Sequence, residues 1–286
     1  MQQWRRGIGL ATALTLAGCQ TVQLSDEGIF RPQQGVALSH EMLGPSQTDY
    51  RLEPQTLTTT DGVRLEGVLL RRDGAERTVL YFGPNMATVE RAAPIMALAL
   101  APLNVNLAMF DYRGYGASGE GTITVPRLMT DAEEVFDRVT SLPGIQPRST
   151  VVHGLSLGSF MAGHVAARRL TAGVVLEGSA TSAEEFAAAQ IPWFARPVIR
   201  LEISPGLQGQ GNLQYMDDID EPLLVLVGEK DTVTRPVFSR RLFEASTLPT
   251  SQRRLAVIPG ATHNDTMQKP ATITAYGEFL GLTGER

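Results

Sequence analysis

The sequence is poor in cysteine and in clustered basic residues, and each shortage excludes a class of protein. Cysteine occurs once, at Cys19, so no intramolecular disulfide can form and no cysteine metal site or thiol nucleophile can lie elsewhere in the chain. The formal net charge is −5 and no Lys/Arg cluster follows the first residues. Nucleic acid is therefore an unsuitable partner, because its phosphates require a basic surface.

Long apolar runs are also missing after the start of the chain. The strongest later candidate, residues 92–103, contains two prolines and is shorter than the roughly 20 residues that a spanning helix needs. Near the start, Trp4-Arg5-Arg6 precede a short apolar run from Gly7 to Ala17. This basic segment followed by a short apolar run predicts a secretory signal.

The small residues directly before Cys19 resemble the bacterial lipobox. That resemblance implies cleavage before Cys19 and acylation of its thiol and amino group. The protein would then be attached to a membrane by more than one lipid chain, as stable anchoring requires. Gln20 directly after it favours the periplasmic face of the outer membrane of a bacterial cell envelope, by analogy with well-known bacteria. The alternative is an ordinary cleaved signal in which the cysteine is incidental.

The remaining chain divides by composition. Residues 1–18 are the expected signal peptide, and residues 19–50, rich in Gln, Ser, Gly and Pro after the cysteine, are expected to form a tether that docks loosely on the domain at most. Residues 51–286 fit one large α/β domain.

Strand and helix patterns alternate through this domain. Two strands joined by an Asp61-Gly62 turn open it, and short apolar runs then alternate with helical patterns, which predicts a mostly parallel sheet with helices on both faces. The alternation lapses over residues 178–220. We expect a small, partly helical lid there, over the carboxyl ends of the strands; the alternative is a peripheral excursion packed on the core.

Two patterns in the first half resemble cofactor or metal sites, but their context favours neither. Gly114-x-Gly116-x-x-Gly119 matches the dinucleotide fingerprint, yet the residues after Gly119 do not begin a helix, so we predict a loop bordering the active-site cleft. Asp131 and the neighbouring acids of a predicted helix over about 127–141 are assigned mostly to a solvated face. No cofactor and no metal is predicted.

The stretch from residue 151 to 168 carries the strongest catalytic signal. An apolar run leads into Gly154-x-Ser156-x-Gly158, and a helical pattern follows directly. In a strand–turn–helix elbow the serine occupies a strained backbone conformation at the tip, and the flanking glycines allow strand and helix to approach closely. The alternative is a surface turn with a solvated serine.

A serine hydroxyl is a weak nucleophile until a base takes its proton, and the base needs a third group that fixes its tautomer. The chain has four histidines, of which His263 alone sits in a loop just beyond a predicted strand. His40 lies in the expected tether, while His153 and His164 are assigned to local packing. His263 is therefore the candidate base.

Two acids compete to orient this base. Asp231 lies just past the carboxyl end of its predicted strand, at the same sheet edge as Ser156. It gives the chain order Ser156, Asp231, His263, the order expected for a serine in such an elbow. Glu177, which also follows a predicted strand, is the alternative acid.

Through residues 154–158, 228–231 and 260–263 the chain resembles the alpha/beta-hydrolase superfamily over nearly all of its domain. Residues 110–119, Phe-Asp-Tyr-Arg-Gly-Tyr-Gly-Ala-Ser-Gly, look like the segment shared by a membrane-associated branch of serine hydrolases that includes protein depalmitoylases and lysophospholipid hydrolases. The resemblance implies the alpha/beta-hydrolase fold and hydrolysis through an acyl-enzyme.

Such an enzyme needs two donors for the substrate oxyanion. The backbone N–H of Leu157, directly after the serine, is the first, and an N–H after the third strand is the second. Pro84 has no N–H, so Asn85 or Met86 must supply it, and we choose Asn85. This branch often has His-Gly-Asn or Gly-Asn-Ala where the present chain has Phe-Gly-Pro-Asn-Met-Ala over residues 82–87.

The expected function is hydrolysis of a carboxylic ester or thioester with some apolar character, because the candidate lid is apolar and the anchor holds the protein near acyl chains. A peptidase or amidase is an alternative, since the same catalytic residues serve amide bonds. A catalytically inactive envelope lipoprotein that binds a ligand is the alternative from another class.

Overall fold

A computed structural model describes residues 20–44, 47, 49–192, 194–195 and 198–283. Cys19 and the expected signal peptide lie outside these residues. The strands are β1 (Gln20–Leu24), β2 (Tyr50–Thr58), β3 (Arg64–Arg72), β4 (Thr78–Phe82), β5 (Asn106–Phe110), β6 (Thr150–Leu155), β7 (Gly173–Glu177), β8 (Ile199–Ile203), β9 (Leu223–Gly228) and β10 (Arg253–Ile258). The α-helices are α1 (Asp26–Ile29), α2 (Val89–Leu100), α3 (Val125–Thr140), α4 (Leu157–Ala166), α5 (Ala183–Gln190), α6 (Pro236–Ala245) and α7 (Pro270–Leu282).

An eight-stranded sheet in the order β10-β9-β7-β6-β4-β5-β3-β2 forms the centre of the fold. The pairs β2–β3 and β3–β5 are antiparallel, and the other pairs are parallel. Every residue of β4, β6 and β9 is buried, as expected of apolar strands covered on both faces. The predicted mostly parallel sheet is confirmed.

Two apolar clusters fill the space between the sheet and its helices. On one face, side chains of α3, α4 and α6 pack against alternate residues of the strands. On the other face, α2 and α7 cover the intervening residues. Because the parallel strands run in one direction, the loops after β4, β6, β7, β9 and β10 all emerge at one edge of the sheet. That edge carries the three candidate catalytic residues, Ser156 after β6, Asp231 after β9 and His263 after β10.

The segment expected to be a tether packs on the domain. β1 pairs in parallel with β8, from Gln20 opposite Ile199 to Leu24 opposite Ile203. Phe30 is 5% exposed and belongs to one of the core clusters. Apolar side chains explain this docking, since burying one contributes about 1.5–3 kcal/mol.

The region over residues 178–220 contains α5, whose N-cap Ser182 accepts a hydrogen bond from the backbone of Glu185. The sequence predicted that this region is partly helical but did not predict β8. The second half of the region packs deeply, because Leu207, Met216 and Ile219 are each 1% exposed. The region is therefore partly integrated into the core rather than wholly superficial.

The assignment of Asp131 to a solvated face is wrong. Asp131 is 3% exposed, and Arg113, itself 2% exposed, donates to both of its carboxylate oxygens at 2.7 and 2.6 Å. The same guanidinium donates to Asp61, in the turn between β2 and β3, at 2.9 and 3.0 Å. These hydrogen bonds hold the pKa of Asp61 well below its ordinary value. Arg113 thus joins the loop after β5, helix α3 and the first hairpin.

Replacement of Arg113 by Met should destabilise the fold strongly, because it leaves the buried Asp131 without its counter-charge. We expect a loss of about 3–5 kcal/mol in the free energy of unfolding, measured by urea denaturation. Arg127→Met is the matched control, because Arg127 also binds Asp61, at 2.8 Å, but its side chain is 53% exposed. The control should lose less than about 1 kcal/mol, and equal losses in the two variants would contradict the assignment.

Candidate active site

Ser156 stands in the turn between β6 and α4 with φ 56° and ψ −115°. This is a positive φ that a residue with a side chain rarely adopts, at a typical expense of about 1–3 kcal/mol. The surrounding contacts enforce it. A Cβ on Gly154 would lie 2.0 Å from the carbonyl oxygen of Gly158, and one on Gly158 would lie 2.0 Å from that of Phe82. The predicted strand–turn–helix elbow, strained at its serine, is therefore present.

Asp231 and His263 meet in the loops that follow β9 and β10. Nδ1 of His263 lies 2.8 Å from Oδ2 of Asp231. The carboxylate also accepts hydrogen bonds from the backbone of Val233 at 2.8 Å and from both the backbone and the hydroxyl of Thr234 at 2.9 Å. Burial by itself would raise the pKa of Asp231, but the hydrogen bonds from His263 and Thr234 hold it below its ordinary value.

An ionised Asp231 favours the tautomer of His263 that carries its proton on Nδ1, because the carboxylate can only accept there. The lone pair of Nε2 is then available to accept a proton. His263 is 7% exposed, so its ring is held by its surroundings. The pair has the arrangement that a general base and its orienting acid require.

The end of β7 brings the serine and the histidine to the same place. The backbone N–H of Ser156 donates to the carbonyl oxygen of Glu177 at 2.9 Å. The next residue, Gly178, has φ 50°, and a Cβ there would lie 3.2 Å from Cε1 and Nδ1 of His263. The glycine therefore leaves room for the imidazole directly beside the elbow.

Glu177, the alternative acid, is hydrogen-bonded to a different histidine. Its Oε2 lies 2.9 Å from Nε2 of His153, and the two side chains are 1% and 0% exposed. Nδ1 of His153 lies 3.4 Å from the hydroxyl of Tyr276. The structure thus brings Asp231, and not Glu177, to His263.

The two remaining histidines lie away from Ser156. His164, on α4, has Nδ1 at 3.0 Å from the hydroxyl of Tyr215 and Nε2 at 2.7 Å from Glu133. Its burial lowers its pKa. His40 begins a short 3₁₀ turn at residues 40–42. The expectation of local packing is confirmed for His153 and His164.

The predicted oxyanion donors flank the elbow. Leu157 is the first residue of α4, where an N–H has no acceptor within the helix. Asn85 and Met86 follow β4, and Met86 has φ 73°, so this loop also departs from relaxed backbone geometry. Leu157 and Asn85 remain predictions as oxyanion donors.

The side chain of Asn85 binds a part of the chain that sequence patterns did not connect to it. Its Oδ1 accepts from the backbone of Arg31 at 3.1 Å and from the hydroxyl of Tyr115 at 2.8 Å. Its Nδ2 donates to the carbonyl oxygen of Ile29 at 2.7 Å. No local signal marks these contacts, because the partners lie far away in sequence.

A cavity of about 300 Å³ adjoins the elbow. It lies between α2, the loop after β4 and the loop after His263, and its lining includes Leu155, directly before Ser156, and Asn264, directly after His263. A second cavity, of about 430 Å³, lies under β8 beside α5 and α6. The first of these is the one placed to receive part of a molecule that reacts at Ser156.

Between residues 20 and 283, apart from the undescribed positions, no group of three or more His, Cys, Asp or Glu is placed to hold a metal ion. The same residues include no helix long and apolar enough to cross a membrane. Gly119 is followed by loop, and the next helix begins at Val125, so the fingerprint-like glycines do not lead into a helix N-terminus.

The chain is similar to several known proteins over most of its length. No protein-family model matches the chain. An uncharacterized membrane protein of Saccharomyces cerevisiae is 28% identical over 278 residues, covering 96% of this chain and 95% of that protein. The alpha/beta hydrolase domain-containing protein 17B of Homo sapiens is 26% identical over 223 residues, covering 78% of this chain and 70% of that protein.

Solved structures are similar over most of the chain. That of an esterase of Pyrococcus furiosus superposes with a TM-score of 0.70 and 22% identity, covering 89% of this chain and 98% of the esterase. The shared architecture is the mostly parallel sheet with helices on both faces. The chain therefore has the alpha/beta-hydrolase fold.

Proposed function

We propose that the protein is a serine hydrolase in which Ser156 is the nucleophile, His263 the general base and Asp231 the residue that orients His263. The observation that carries this proposal is the 2.8 Å contact between Asp231 and Nδ1 of His263, beside a serine at φ 56°. Strain at this serine and a buried acid–histidine pair are both features that a merely solvated surface turn does not need.

In the first half of the reaction, Oγ of Ser156 bonds to the substrate carbonyl carbon while its proton passes to Nε2 of His263. Asp231 stabilises the resulting imidazolium. The carbonyl oxygen becomes an oxyanion, held by the N–H groups of Leu157 and Asn85. The bond to the leaving alcohol or thiol then breaks, and the leaving group takes the proton from His263.

The second half repeats these steps with water. His263 takes a proton from a water molecule, whose oxygen attacks the acyl carbon of the acyl-Ser156 ester. Collapse of the second tetrahedral intermediate releases the carboxylic acid and returns the proton to Ser156. No cofactor or metal ion is needed for this sequence.

Carboxylic esters or thioesters are the proposed substrates. The cavity beside the elbow has a mostly apolar lining of aliphatic, methionine and aromatic side chains, which suits an acyl group. The similarity in fold to an esterase supports the same choice. Peptide or amide hydrolysis uses the same catalytic groups and is the second candidate, and ligand binding without catalysis is the third.

Removing the nucleophile or the orienting acid should abolish hydrolysis of p-nitrophenyl butyrate. We expect Ser156→Ala to lower kcat by at least about 10⁴-fold and Asp231→Asn by on the order of 10³–10⁴-fold. Ser156→Ala should also lose labelling by a fluorophosphonate. Asp265→Asn is the control, because that residue follows His263 with only Asn264 between them, but its carboxylate accepts from the backbone of Thr262 at 2.6 Å.

Two results would change the assignment. If Glu177→Gln abolished activity while Asp231→Asn retained it, Glu177 would be the orienting acid. If the unmodified protein neither hydrolysed any ester or amide nor reacted with the fluorophosphonate, the binding-lipoprotein alternative would replace the enzyme.

We further propose that Cys19 is lipidated and anchors the protein in a bacterial cell envelope, on the periplasmic face of the outer membrane. The lipobox-like residues before Cys19 support this, and the relative from yeast carries the name of a membrane protein. The first described strand starts at Gln20, so an anchor at Cys19 would join the folded part directly.

Metabolic labelling with radioactive palmitate tests the anchor. The full chain expressed in a bacterium should incorporate label and sediment with membranes, whereas Cys19→Ser should do neither. Ser156→Ala is the control, because it removes any label held as an acyl-enzyme and should leave the labelling at Cys19 intact. Equal label in the full chain and in Cys19→Ser would contradict the proposal.

A further inference from the structure

The cavity beside the elbow touches three parts of the proposed catalytic machinery. Leu155, on its wall, directly precedes Ser156, and Asn264 directly follows His263. Asn85 and Met86, from the loop that would hold the oxyanion, form another wall. A group attached to a carbonyl carbon at Ser156 therefore has this space beside it.

The lining of the cavity is suited to a flexible apolar chain. Met86, Met96 and Met267 contribute to it, and methionine side chains adapt readily to the shape of an apolar ligand. Glu177 also contributes, but its carboxylate is already bound to His153, so it does not require a polar ligand. The other polar residues of the lining are Asn85, Arg91, Asn264 and Gln268. Further aliphatic and aromatic contributions come from Tyr81, Ala92, Ile95 and Leu155.

The volume of the cavity bounds the length of chain that it can accommodate. A methylene group takes roughly the volume of a water molecule, about 30 Å³. A space of about 300 Å³ therefore corresponds to a chain of about ten carbons. A longer chain would have to extend past the rim, where Arg91 and Ile95 are exposed.

We propose that this cavity is the acyl-chain subsite, that it accommodates up to about ten carbons, and that Ala92 on α2 forms part of its wall near the rim. This rests on the proposed serine hydrolase and adds the substrate's acyl length to it. Ala92 is half-buried and lines the space. A larger side chain at this position would occupy volume that the acyl chain needs.

The test is the ratio of kcat/KM for p-nitrophenyl decanoate to that for the acetate, measured with the full chain. Ala92→Leu should lower this ratio at least about tenfold, because one lost methylene contact is worth about 1–3 kcal/mol. Ala99→Leu is the matched control. Ala99 is half-buried on the same helix and, like Ala92, packs against the apolar cluster between the sheet and the helices α2 and α7, but it does not line the cavity. Leucine is a good helix former, so both variants should fold.

The outcomes separate the subsite from the enzyme. If Ala92→Leu and Ala99→Leu changed the ratio equally, or if neither changed it, the acyl chain would lie elsewhere and the subsite would be refuted. If the unmodified protein hydrolysed no ester at all, the proposed function would fail first. A preference for the acetate in the unmodified protein would also refute the subsite, while leaving the hydrolase intact.

A second inference comes from the segment that follows the anchor. Residues 29–36 run along the loop after β4, and their backbone holds the side chain of Asn85 on two sides, through Arg31 and Ile29. The hydroxyl of Tyr115 donates to the same Oδ1 of Asn85 and lies 3.1 Å from the backbone nitrogen of Arg31. Asn85 is thus clamped by three hydrogen bonds.

The same segment is itself fixed to the domain. The backbone of Val36 donates to Glu90, in the first turn of α2, at 3.0 Å. The backbone nitrogens of Gly35 and Gly116 donate to carbonyl oxygens of Gly116 and Gln33 at 3.2 and 2.7 Å. The segment that contacts the loop after β4 is therefore itself hydrogen-bonded to α2 and to the loop after β5.

We infer that residues 29–36 position the oxyanion loop and that the Asn85 side chain is the positioning group through which they act. This also rests on the proposed function. Donors aimed at an oxyanion act in the transition state, so loosening them lowers kcat while KM changes little. A purely structural role would instead lower the melting temperature without selective loss of kcat.

Asn85→Ala removes all three hydrogen bonds. Tyr115→Phe keeps the buried ring but removes the bond from the Tyr115 hydroxyl to Asn85 and the one that this hydroxyl accepts from the backbone of Arg31. For p-nitrophenyl butyrate we expect kcat to fall at least about tenfold in Asn85→Ala and about threefold in Tyr115→Phe, with KM within about twofold. The double variant should be no worse than Asn85→Ala, since both changes affect one network. If Asn85→Ala does not fold, the kcat of Tyr115→Phe alone tests the positioning role.

A kcat within about 1.5-fold of the unmodified protein in Tyr115→Phe would overturn the inference. So would additive losses in the double variant, because they would show that the two side chains act independently. The proposed function is tested separately, by Ser156→Ala. If that variant hydrolysed esters as well as the unmodified protein does, the proposed function itself would be refuted.

Discussion

Everything in the site depends on how closely the backbone passes around Ser156. Gly154 and Gly158 touch across the turn, and Gly158 also touches the end of β4 at Phe82, at distances that no Cβ could occupy. These contacts fix α4 against β6 and β4 and leave Ser156 at a positive φ. Strain of this size persists only when the surrounding structure over-determines it, and here two buried strands and a helix do so.

Two buried acid–histidine pairs lie near this turn. The surroundings of each pair indicate whether it serves catalysis or the core. Glu177 and His153 are almost inaccessible and close a network with Tyr276. Asp231 and His263 instead occupy loops after the strands, with Asp231 held by the backbone of its own turn. Because loops at the carboxyl edge can face a ligand while strand interiors cannot, the second pair suits chemistry and the first suits the core.

Local patterns in the sequence predicted the sheet, the elbow and Asp231 as the first choice of partner for His263, with Glu177 left open as the alternative. Each of these follows from a short apolar run and the residues directly after it. The burial of Asp131 could not be predicted in this way, since its helical pattern is that of a solvated face and its partner Arg113 belongs to another loop. The clamp on Asn85 and the pairing of β1 with β8 were missed for the same reason, because they join segments far apart in the chain.

The start of the described chain connects two features that are separate in sequence. β1 pairs with β8, whose Ile199 and Leu201 line the larger cavity, and the segment that follows β1 holds Asn85 at the edge of the smaller one. The first described residues therefore contact elements that line each of the two cavities. Because these segments are held to the domain by hydrogen bonds of ordinary length, the start of the described chain belongs to the surroundings of the elbow rather than to a separate linker.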